Sequence, residues 1–254
     1  MISIVCVYNN DKILKNNLLK SLERQTSEYE LILIDNTQNR YTSAAKALNC
    51  GGEKATGDYI MFVHQDVDFC KDTWLAEAEK ILSSIPDLGI AGVAGMSDTG
   101  YTNKDRGRNI IKHGNPAMIW SWGNAIQKPE IVQTLDECLI IIPKIVFSKL
   151  KFDESVCDGW HLYAVDYCLS CNRIGLKAYA IPMFIYHRSA GSSFSTQYYS
   201  TLKKVIKKHK KYYKKIYTTM GDWSTLCPLS VQMRKIKYLV KLRVSIAYGK
   251  LKKL

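Results

Sequence analysis

The sequence predicts an α/β protein, with a mostly parallel sheet flanked by helices and a basic helical extension after it. Short apolar runs rich in β-branched residues alternate with segments of helical spacing through the first hundred residues. This alternation is the pattern of a parallel sheet with helices on both faces. A second observation defines the extension, because lysine and arginine become concentrated after residue 202.

The predicted elements follow in a regular order. Apolar runs of five to seven residues predict strands at 2–7, 30–34, 58–63, 88–94 and 138–142, with shorter strands at 178–181 and 184–186. Helical spacing predicts helices at 13–25, 43–50 and 73–83, the last with Asp72 as its N-cap. A further helix is expected to start near Gly159 and to stop at Gly175. Residues 97–118 are polar and contain glycine, which predicts a loop or lid.

The charge of the chain is divided unevenly. The net charge is +13, but residues 203–254 hold 16 Lys and Arg and a single acid, Asp222, while residues 1–202 hold 20 basic and 22 acidic residues. We therefore predict a body over 1–202 and a basic helical extension over 203–254.

Two interpretations of the extension stay open. Its second basic segment carries an apolar stripe at helical spacing, formed by Met233, Ile236, Val240, Val244, Ala247 and Leu251. Such a helix either packs on the body with a solvated face or lies on an anionic membrane surface. A specific nucleic-acid partner is not expected, because the sequence contains no recognised nucleic-acid-binding module.

Cysteine usage favours the cytoplasm. The eight cysteines are scattered, several lie in apolar segments, and no secretory signal or apolar run of about 18 residues is found. Cys168 and Cys171 form a CxxC pair with no second pair at zinc spacing, so two cysteines on a helix is the preferred interpretation.

The stretch "FVHQDVDF" follows a predicted strand and suggests a metal site. Polar residues follow three consecutive strands, at Asn9, at Asp35, and at His64–Gln65–Asp66. In open parallel sheets ligands bind at the carboxyl ends of the strands, where these residues should meet. Carboxylates there suit Mg²⁺ or Mn²⁺, and Asp66 and Asp68 can both reach one ion if the backbone turns between them.

Other nucleotide-binding motifs are absent from the sequence. No G-x-G-x-x-G follows the first strand, and the P-loop spacing of Gly52–Gly57 has Asp58 where a lysine is required. A G-x-S-x-G nucleophile elbow is also missing.

At this point the chain resembles family 2 glycosyltransferases with the GT-A fold. The matching pieces span residues 1 to about 195, and their order and spacing carry the resemblance: "VCVYNN", "SLERQT", "LILIDNT", "AKALNCGGEKATGDYIMFVHQDV", "FDESVCDGWHLYAVDYCLSCNRIGLKAYAI" and "HRSAG". The resemblance implies a UDP- or dTDP-linked sugar donor, Mn²⁺ or Mg²⁺, and inversion at the anomeric carbon.

The resemblance also implies roles for particular residues. "HQDV" is closest to the N-x-D-V form of rhamnosyltransferase-like members, which makes Asp66 a better metal ligand than Asp68. His187 is the third expected ligand. Expected donor-binding residues are Val7, Tyr8, Asn9, Asp35, Gln65 and His161.

The usual E-D-x-D signature of the family is replaced here. Tyr163-Ala-Val-Asp166 stands in its place, and His161, Tyr163 and Asp166 match an H-x-Y-x-x-D subgroup. An inverting transfer needs a carboxylate to deprotonate the acceptor. Asp166 is therefore the expected general base, Asp158 is its competitor, and Asp153 ranks last.

These observations predict an enzyme that moves one sugar from a nucleotide donor to a glycan or lipid-linked acceptor. The expected context is cell-surface polysaccharide synthesis in the cytoplasm, with peripheral attachment to the inner face of the plasma membrane. One alternative is a sugar nucleotidyltransferase, although "VCVYNN" lacks the glycine- and lysine-rich loop that such an enzyme needs. The other is a non-catalytic membrane- or nucleic-acid-binding relative, which the missing E-D pair favours.

Overall fold

A computed structural model describes residues 1–115, 118–189, 194–227 and 231–240. The strands are β1 Ile2–Tyr8, β2 Tyr29–Asp35, β3 Tyr59–Val63, β4 Val67–Phe69, β5 Leu88–Gly92, β6 Gly95–Met96, β7 Gly107–Arg108, β8 Ile111–Asn115, β9 Met118–Trp122, β10 Glu130–Val132, β11 Thr134–Leu135, β12 Leu139–Pro143, β13 Lys177–Ala180, β14 Ile185–His187, β15 Lys215–Thr218 and β16 Gly221–Ser224.

The helices connect and cover these strands. They are α1 Asp11–Leu14, α2 Lys20–Leu22, α3 Ala44–Lys54, α4 Trp74–Ser83, α5 Asn103–Arg106, α6 Lys144–Phe147, α7 Tyr163–Arg173 and α8 Thr196–His209. A π-helical turn, Lys15–Leu19, joins α1 to α2, and residues 231–240 are also helical.

A seven-stranded sheet forms the centre, in the order β10-β13-β5-β12-β3-β1-β2. β1 runs parallel to β2 and β3, and β5 runs parallel to β13. β12 is antiparallel to both of its neighbours, and its register pairs Leu139 with Val63. The start of β12 therefore lies beside the end of β3, at the edge where β1 and β2 also end.

Two apolar layers sandwich the sheet. Alternate residues of β1 point to opposite sides, since Ile4 packs with the α1–α2 segment and α4, whereas Val5 packs with α3, α6 and α7. A third cluster joins the outer face of α7 to α8 and to the β15–β16 hairpin through Leu169, Leu202 and Trp223. The third cluster fixes α8 and the hairpin to the body.

Most of the predicted body elements are confirmed, with three corrections. Leu162 has a φ of 72°, a left-handed conformation that prevents the helix from starting at 159, so α7 begins at Tyr163. The N-cap of α4 is Thr73, not Asp72, which instead accepts from Arg24 Nε at 3.2 Å. Residues 97–115, predicted as a loop or lid, contain the short elements α5, β7 and β8. The stop at Gly175 is confirmed by its φ of 86°.

The segment after residue 202 is only partly a helical extension. The boundary between 202 and 203 falls inside α8, and 215–224 is a β-hairpin. The hairpin is bound to the body through Gln133, whose Nε2 donates to Lys215 O at 3.1 Å and whose Oε1 accepts from Tyr217 N at 2.7 Å.

The predicted apolar stripe is described only in part. Met233, Ile236 and Val240 are 59%, 54% and 55% exposed, whereas Val244, Ala247 and Leu251 lie outside the described residues. Within the described ranges, no helix has the length and apolar character needed to span a bilayer.

Candidate active site

A turn after β3 brings distant parts of the chain together. The turn runs from His64 to Val67 and is closed by Val67 N donating to His64 O at 3.3 Å. β4 then leaves the central sheet and pairs with β14, with His187 opposite Val67. Arg188 N donates to Asp66 O at 2.9 Å, which holds the end of β14 against the turn.

Three ligand-type side chains converge at this turn. His187 Nε2 lies 3.4 Å from His64 Nδ1 and 3.3 Å from Asp66 Oδ1. One ligand atom from each of the three residues lies within 4.8 Å of the others, a spacing that allows one metal ion to contact all of them. We call His64, Asp66 and His187 the metal-type cluster.

Asp68, the remaining metal ligand expected from the sequence, is placed elsewhere. Its carboxylate accepts from Arg188 Nη2 at 2.9 Å and lies 3.6 Å from Arg24 Nη2. Two arginines therefore neutralise Asp68, and it is not part of the metal-type cluster.

The protonation preferences of two of the three cluster residues, His64 and Asp66, suit metal binding. Burial, together with the neighbouring His187, lowers the pKa of His64 to about 4, so its imidazole is neutral at physiological pH, the form that binds metals. Burial opposes charge on Asp66, yet the contact with His187 holds the pKa of Asp66 below its usual value. Burial also lowers the pKa of His187, but the Asp66 and Asp136 carboxylates outweigh it and the net shift is upward.

The donor set fits a divalent cation. Two imidazoles and one carboxylate are a set that transition metals accept, whereas Mg²⁺ prefers oxygen ligands alone. His187 Nδ1, the ring nitrogen on the other side from Nε2, is buried without a hydrogen-bond partner among the described residues. No hydrogen bond to Nδ1 from these residues therefore fixes the orientation of the ring.

Two cavities meet at the cluster. The first cavity, about 290 Å³, lies over the ends of β1 and β2. The second cavity, about 380 Å³, lies over the start of β12 and is capped by the β15–β16 hairpin. Both share His64, Asp66 and Trp160 as walls. The first is further lined by Val7, Tyr8, Asn9, Asn36, Asn39 and Gln65.

Gln65 connects the turn to the first strand. Its Oε1 accepts from Asn9 N and Asn10 N, both at 3.1 Å, and its Nε2 donates to Asn9 Oδ1 at 2.7 Å. Asp35 lies at the end of β2, exposed, and accepts from Thr37 N and Oγ1 at 2.8 Å each. These bonds to Thr37 lower the pKa of Asp35. Four of the expected donor-binding residues, Val7, Tyr8, Asn9 and Gln65, thus share one cavity wall.

Of the two remaining expected donor-binding residues, Asp35 is not among the residues that line either cavity, and His161 lines the second cavity instead. It lies beside an acidic pair, Asp136 and Glu137, that the sequence reasoning missed. The available signal was the position of this pair directly before the apolar strand 138–142, which is antiparallel and so starts where the parallel strands end.

The two carboxylates of the pair are held differently. Asp136 Oδ1 accepts from Cys138 N at 3.1 Å and Oδ2 from Thr219 Oγ1 at 2.9 Å. Burial opposes its charge, but His187 and these bonds lower the pKa of Asp136. Glu137 Oε1 accepts from Ala164 N at 3.3 Å, and its Oε2 lies 3.8 Å from His161 Nδ1. Burial raises the pKa of Glu137 above its usual range.

The structure does not bring Asp166 or Asp158 to either cavity. Asp166 is 3% exposed and bonds Lys208 Nζ at 2.7 Å and His209 Nε2 at 2.8 Å. Asp158 is 47% exposed and pairs with Lys204 Nζ at 2.7 Å. Because α7 starts at Tyr163, the side of the helix that carries Asp166 turns toward α8 and away from the cluster.

Sequence comparison assigns the family. Residues 2–214 match the family described as "Glycosyltransferase like family".

This chain belongs to the glycosyltransferase-like family.

One curated relative of this chain comes from Fuscovulum blasticum. It is named "ATP synthase subunits region ORF 6" and is 24% identical over 196 residues, which cover 72% of this chain and 74% of the relative.

Solved structures similar to this chain include the following three. GalNAc-T7, in a structure with UDP, GalNAc and Mn²⁺, has a TM-score of 0.57, 14% identity, and matches 81% of this chain and 47% of its own. The Pyrobaculum calidifontis mannosyltransferase PcManGT, in complex with GDP-Man and Mn²⁺, has a TM-score of 0.56 and 12% identity, and the match covers 84% of this chain and 65% of PcManGT. S. aureus TarS has a TM-score of 0.53 and 12% identity, and the match covers 82% of this chain and 39% of TarS.

The chain therefore spans from about two fifths to two thirds of these solved chains. At such identities the likeness shows the fold, and it confirms the GT-A architecture that the sequence predicted. The family match confirms the predicted family.

Proposed function

We propose that this glycosyltransferase moves a sugar from a nucleotide-sugar donor to an acceptor hydroxyl. The observation that carries the proposal is the junction of two cavities at the metal-type cluster. A nucleoside diphosphate sugar has three parts, and the site offers three neighbouring places for them. The nucleoside would occupy the first cavity, the diphosphate the cluster, and the sugar the second cavity, where the acceptor also enters.

The first cavity has the chemistry to bind a nucleoside. Asn9, Asn39 and Tyr8 line this cavity with amide groups and an aromatic ring. Asn36 holds the wall in place, since its Nδ2 donates to Tyr41 O at 3.2 Å and its Oδ1 accepts from Tyr41 N at 2.8 Å. Two solved proteins of similar fold were captured with nucleotide ligands, UDP in GalNAc-T7 and GDP-Man in PcManGT. We propose UDP- or dTDP-linked sugars as donors, and Asp35 at the rim as an acceptor for ribose or base donors.

The cluster would hold the cation that accompanies the diphosphate. Both of those solved structures contain Mn²⁺, and we propose Mn²⁺ in preference to Mg²⁺, because two of the three ligands here are imidazoles. A bound divalent cation supplies positive charge next to the departing diphosphate. The chain itself positions that charge, since the hydrogen bond from Arg188 N to Asp66 O fixes the turn.

We further propose that the transfer inverts the anomeric carbon and that the acceptor is a glycan, free or lipid-linked, in cell-surface polysaccharide synthesis. Exposed Met233, Ile236 and Val240 lie on the helical segment that also carries Arg234 and Lys237. This combination of apolar and basic side chains supports peripheral contact with the anionic inner face of the plasma membrane, on the cytoplasmic side.

Nucleotide binding gives the first test. Titration calorimetry with UDP, dTDP and GDP, each with and without Mn²⁺, should detect one binding site that needs the metal. Asn9→Ala and Asn36→Ala should weaken that binding, while Glu53→Gln, a 64%-exposed site on α3, serves as the surface control. Absence of binding for all three nucleotides in the presence of Mn²⁺ would contradict the proposal.

A further inference from the structure

We propose that Glu137 is the general base that deprotonates the acceptor hydroxyl. The proposal rests on the proposed function, and it assigns the base to the turn before β12 instead of to α7, where the family resemblance placed it.

Glu137 lies where an acceptor must be activated. It lines the second cavity together with Asp66, His64 and His187, so one cavity joins it to the expected leaving-group site. His64 N donates to Cys138 O at 3.0 Å, a backbone bond that fixes the turn of Glu137 relative to the cluster. Its side chain is 16% exposed, which leaves it accessible from the cavity but shielded from bulk water.

The other carboxylates on the cavity wall have different tasks. Among the described residues, Asp66, Asp136 and Glu137 are the carboxylates that line the second cavity. Asp66 belongs to the metal-type cluster. Both oxygens of Asp136 accept hydrogen bonds, one of them from Thr219 in the hairpin that caps the cavity, so Asp136 holds the cap in place. Glu137 remains.

The surroundings of Glu137 suit a base. The peptide N–H of Ala164 in the first turn of α7 orients one of its oxygens, and the positive end of the helix favours the carboxylate form. Burial makes the carboxylate more basic than an exposed one, which brings it nearer to the range in which a general base is effective. No lysine or arginine of the described residues forms an ion pair with it, so its negative charge is not already neutralised.

Glu137 takes the proton of the acceptor O–H as that oxygen bonds to the anomeric carbon. The bond from the anomeric carbon to the phosphate oxygen breaks, and its electron pair leaves with the nucleoside diphosphate. His161, with Nδ1 3.8 Å from the carboxylate, is a positioning residue that limits the rotation of Glu137.

A comparison of two nucleophiles tests the assignment. Each donor of a panel of UDP-, dTDP- and GDP-linked sugars is incubated with Mn²⁺ and either water alone or azide, and sugar, glycosyl azide and nucleotide are quantified. Water needs a base, whereas azide is already an anion at neutral pH. Glu137→Gln keeps the side-chain oxygen that accepts from Ala164 N. It should lower hydrolysis by about 10²–10⁴-fold, while azide transfer and the Kd for UDP stay within about threefold of the unchanged enzyme.

The controls separate the outcomes. Glu53→Gln makes the same chemical change at an exposed site on α3 and should leave both reactions unchanged. If Glu137→Gln slows azide transfer as much as hydrolysis, Glu137 has a structural or sugar-binding role and the inference is overturned. Near-normal hydrolysis by Glu137→Gln would also overturn it. If the unchanged enzyme consumes no donor of the panel with either nucleophile, the proposed function itself fails.

Discussion

Replacing Asp166 by asparagine should destabilise the fold and leave the chemistry of the folded enzyme largely intact. The Asp166 carboxylate is 3% exposed and makes two charge-assisted contacts, to Lys208 Nζ at 2.7 Å and to His209 Nε2 at 2.8 Å. His209 is fully buried and Lys208 is 23% exposed, so water cannot replace the lost partner well.

The magnitude follows from the burial of the group. Removing one partner of a buried ion pair costs about 3–5 kcal/mol. Lys208 keeps Asp153 at 2.9 Å, which lowers the cost, and we expect a loss of about 3 kcal/mol in the free energy of unfolding. For a chain of 254 residues this corresponds to a fall in Tm of roughly 6–12 °C.

The assay combines urea unfolding, followed by circular dichroism, with turnover measured at a temperature where the variant is folded. Asp158→Asn is the matched control, because its exposed pair with Lys204 should contribute less than about 1 kcal/mol. The double variant Asp166→Asn/Lys208→Met should recover part of the stability. An unchanged unfolding midpoint together with turnover reduced by about 10²–10⁴-fold would refute this reasoning and return the base to Asp166.

Three further predictions concern the metal, the C-terminal segment and pH. Asp66→Ala should reduce transfer at least about 100-fold, whereas Asp68→Ala should reduce it much less. His64→Asp should shift the metal preference from Mn²⁺ toward Mg²⁺ in activity titrations. Equal effects at both aspartates, or an unchanged metal preference, would contradict metal binding by the metal-type cluster. A chain that ends at residue 227 should bind nucleotide but lose salt-sensitive binding to anionic vesicles. A chain that ends at residue 202 should not fold, because it lacks Trp223 and its neighbours in the third apolar cluster. If the chain that ends at 227 binds vesicles as well as the full chain does, the residues after 227 are not the membrane anchor. Burial raises the pKa of Glu137, which lies beside Asp136 and His161, so the contribution of Glu137 to stability is present below its unfolded pKa and is lost as pH rises through its folded pKa. The Tm of Glu137→Gln should therefore exceed the Tm of the parent by an amount that grows from pH 4 to pH 8. A difference in Tm that stays constant with pH would contradict this prediction.

The sequence predicts the sheet because its strands are buried on both faces and differ clearly from the helices between them. The strand and the polar cluster at His64–Asp66 are visible as an apolar run that ends at three polar residues. The expectation that His187 is a metal ligand came from the resemblance alone. His187 lies 123 residues from His64 in the sequence, and the pairing of β4 with β14 brings the two residues together.

Asp166 lies away from both cavities for a local reason. A helix that starts at Gly159 would put Asp166 and His161 on nearby faces, but the left-handed Leu162 shortens that helix and rotates it. Backbone conformation at a single leucine cannot be read from helical spacing. The hairpin at 215–224 was not predicted, because the lysines around it led to the prediction of a basic helical extension. The charge of a segment does not show whether that segment packs on the body.

The most direct test of the account is release of nucleotide from the donor panel, with Mn²⁺ and with the metal chelated, by the unchanged enzyme and by Asp66→Ala. We expect at least one UDP- or dTDP-linked sugar to be consumed, chelation to stop the reaction, and Asp66→Ala to lower it at least about 100-fold. Full nucleotide release in the chelated sample, with Asp66→Ala equally active, would contradict the claim that the reaction takes place where the two cavities meet.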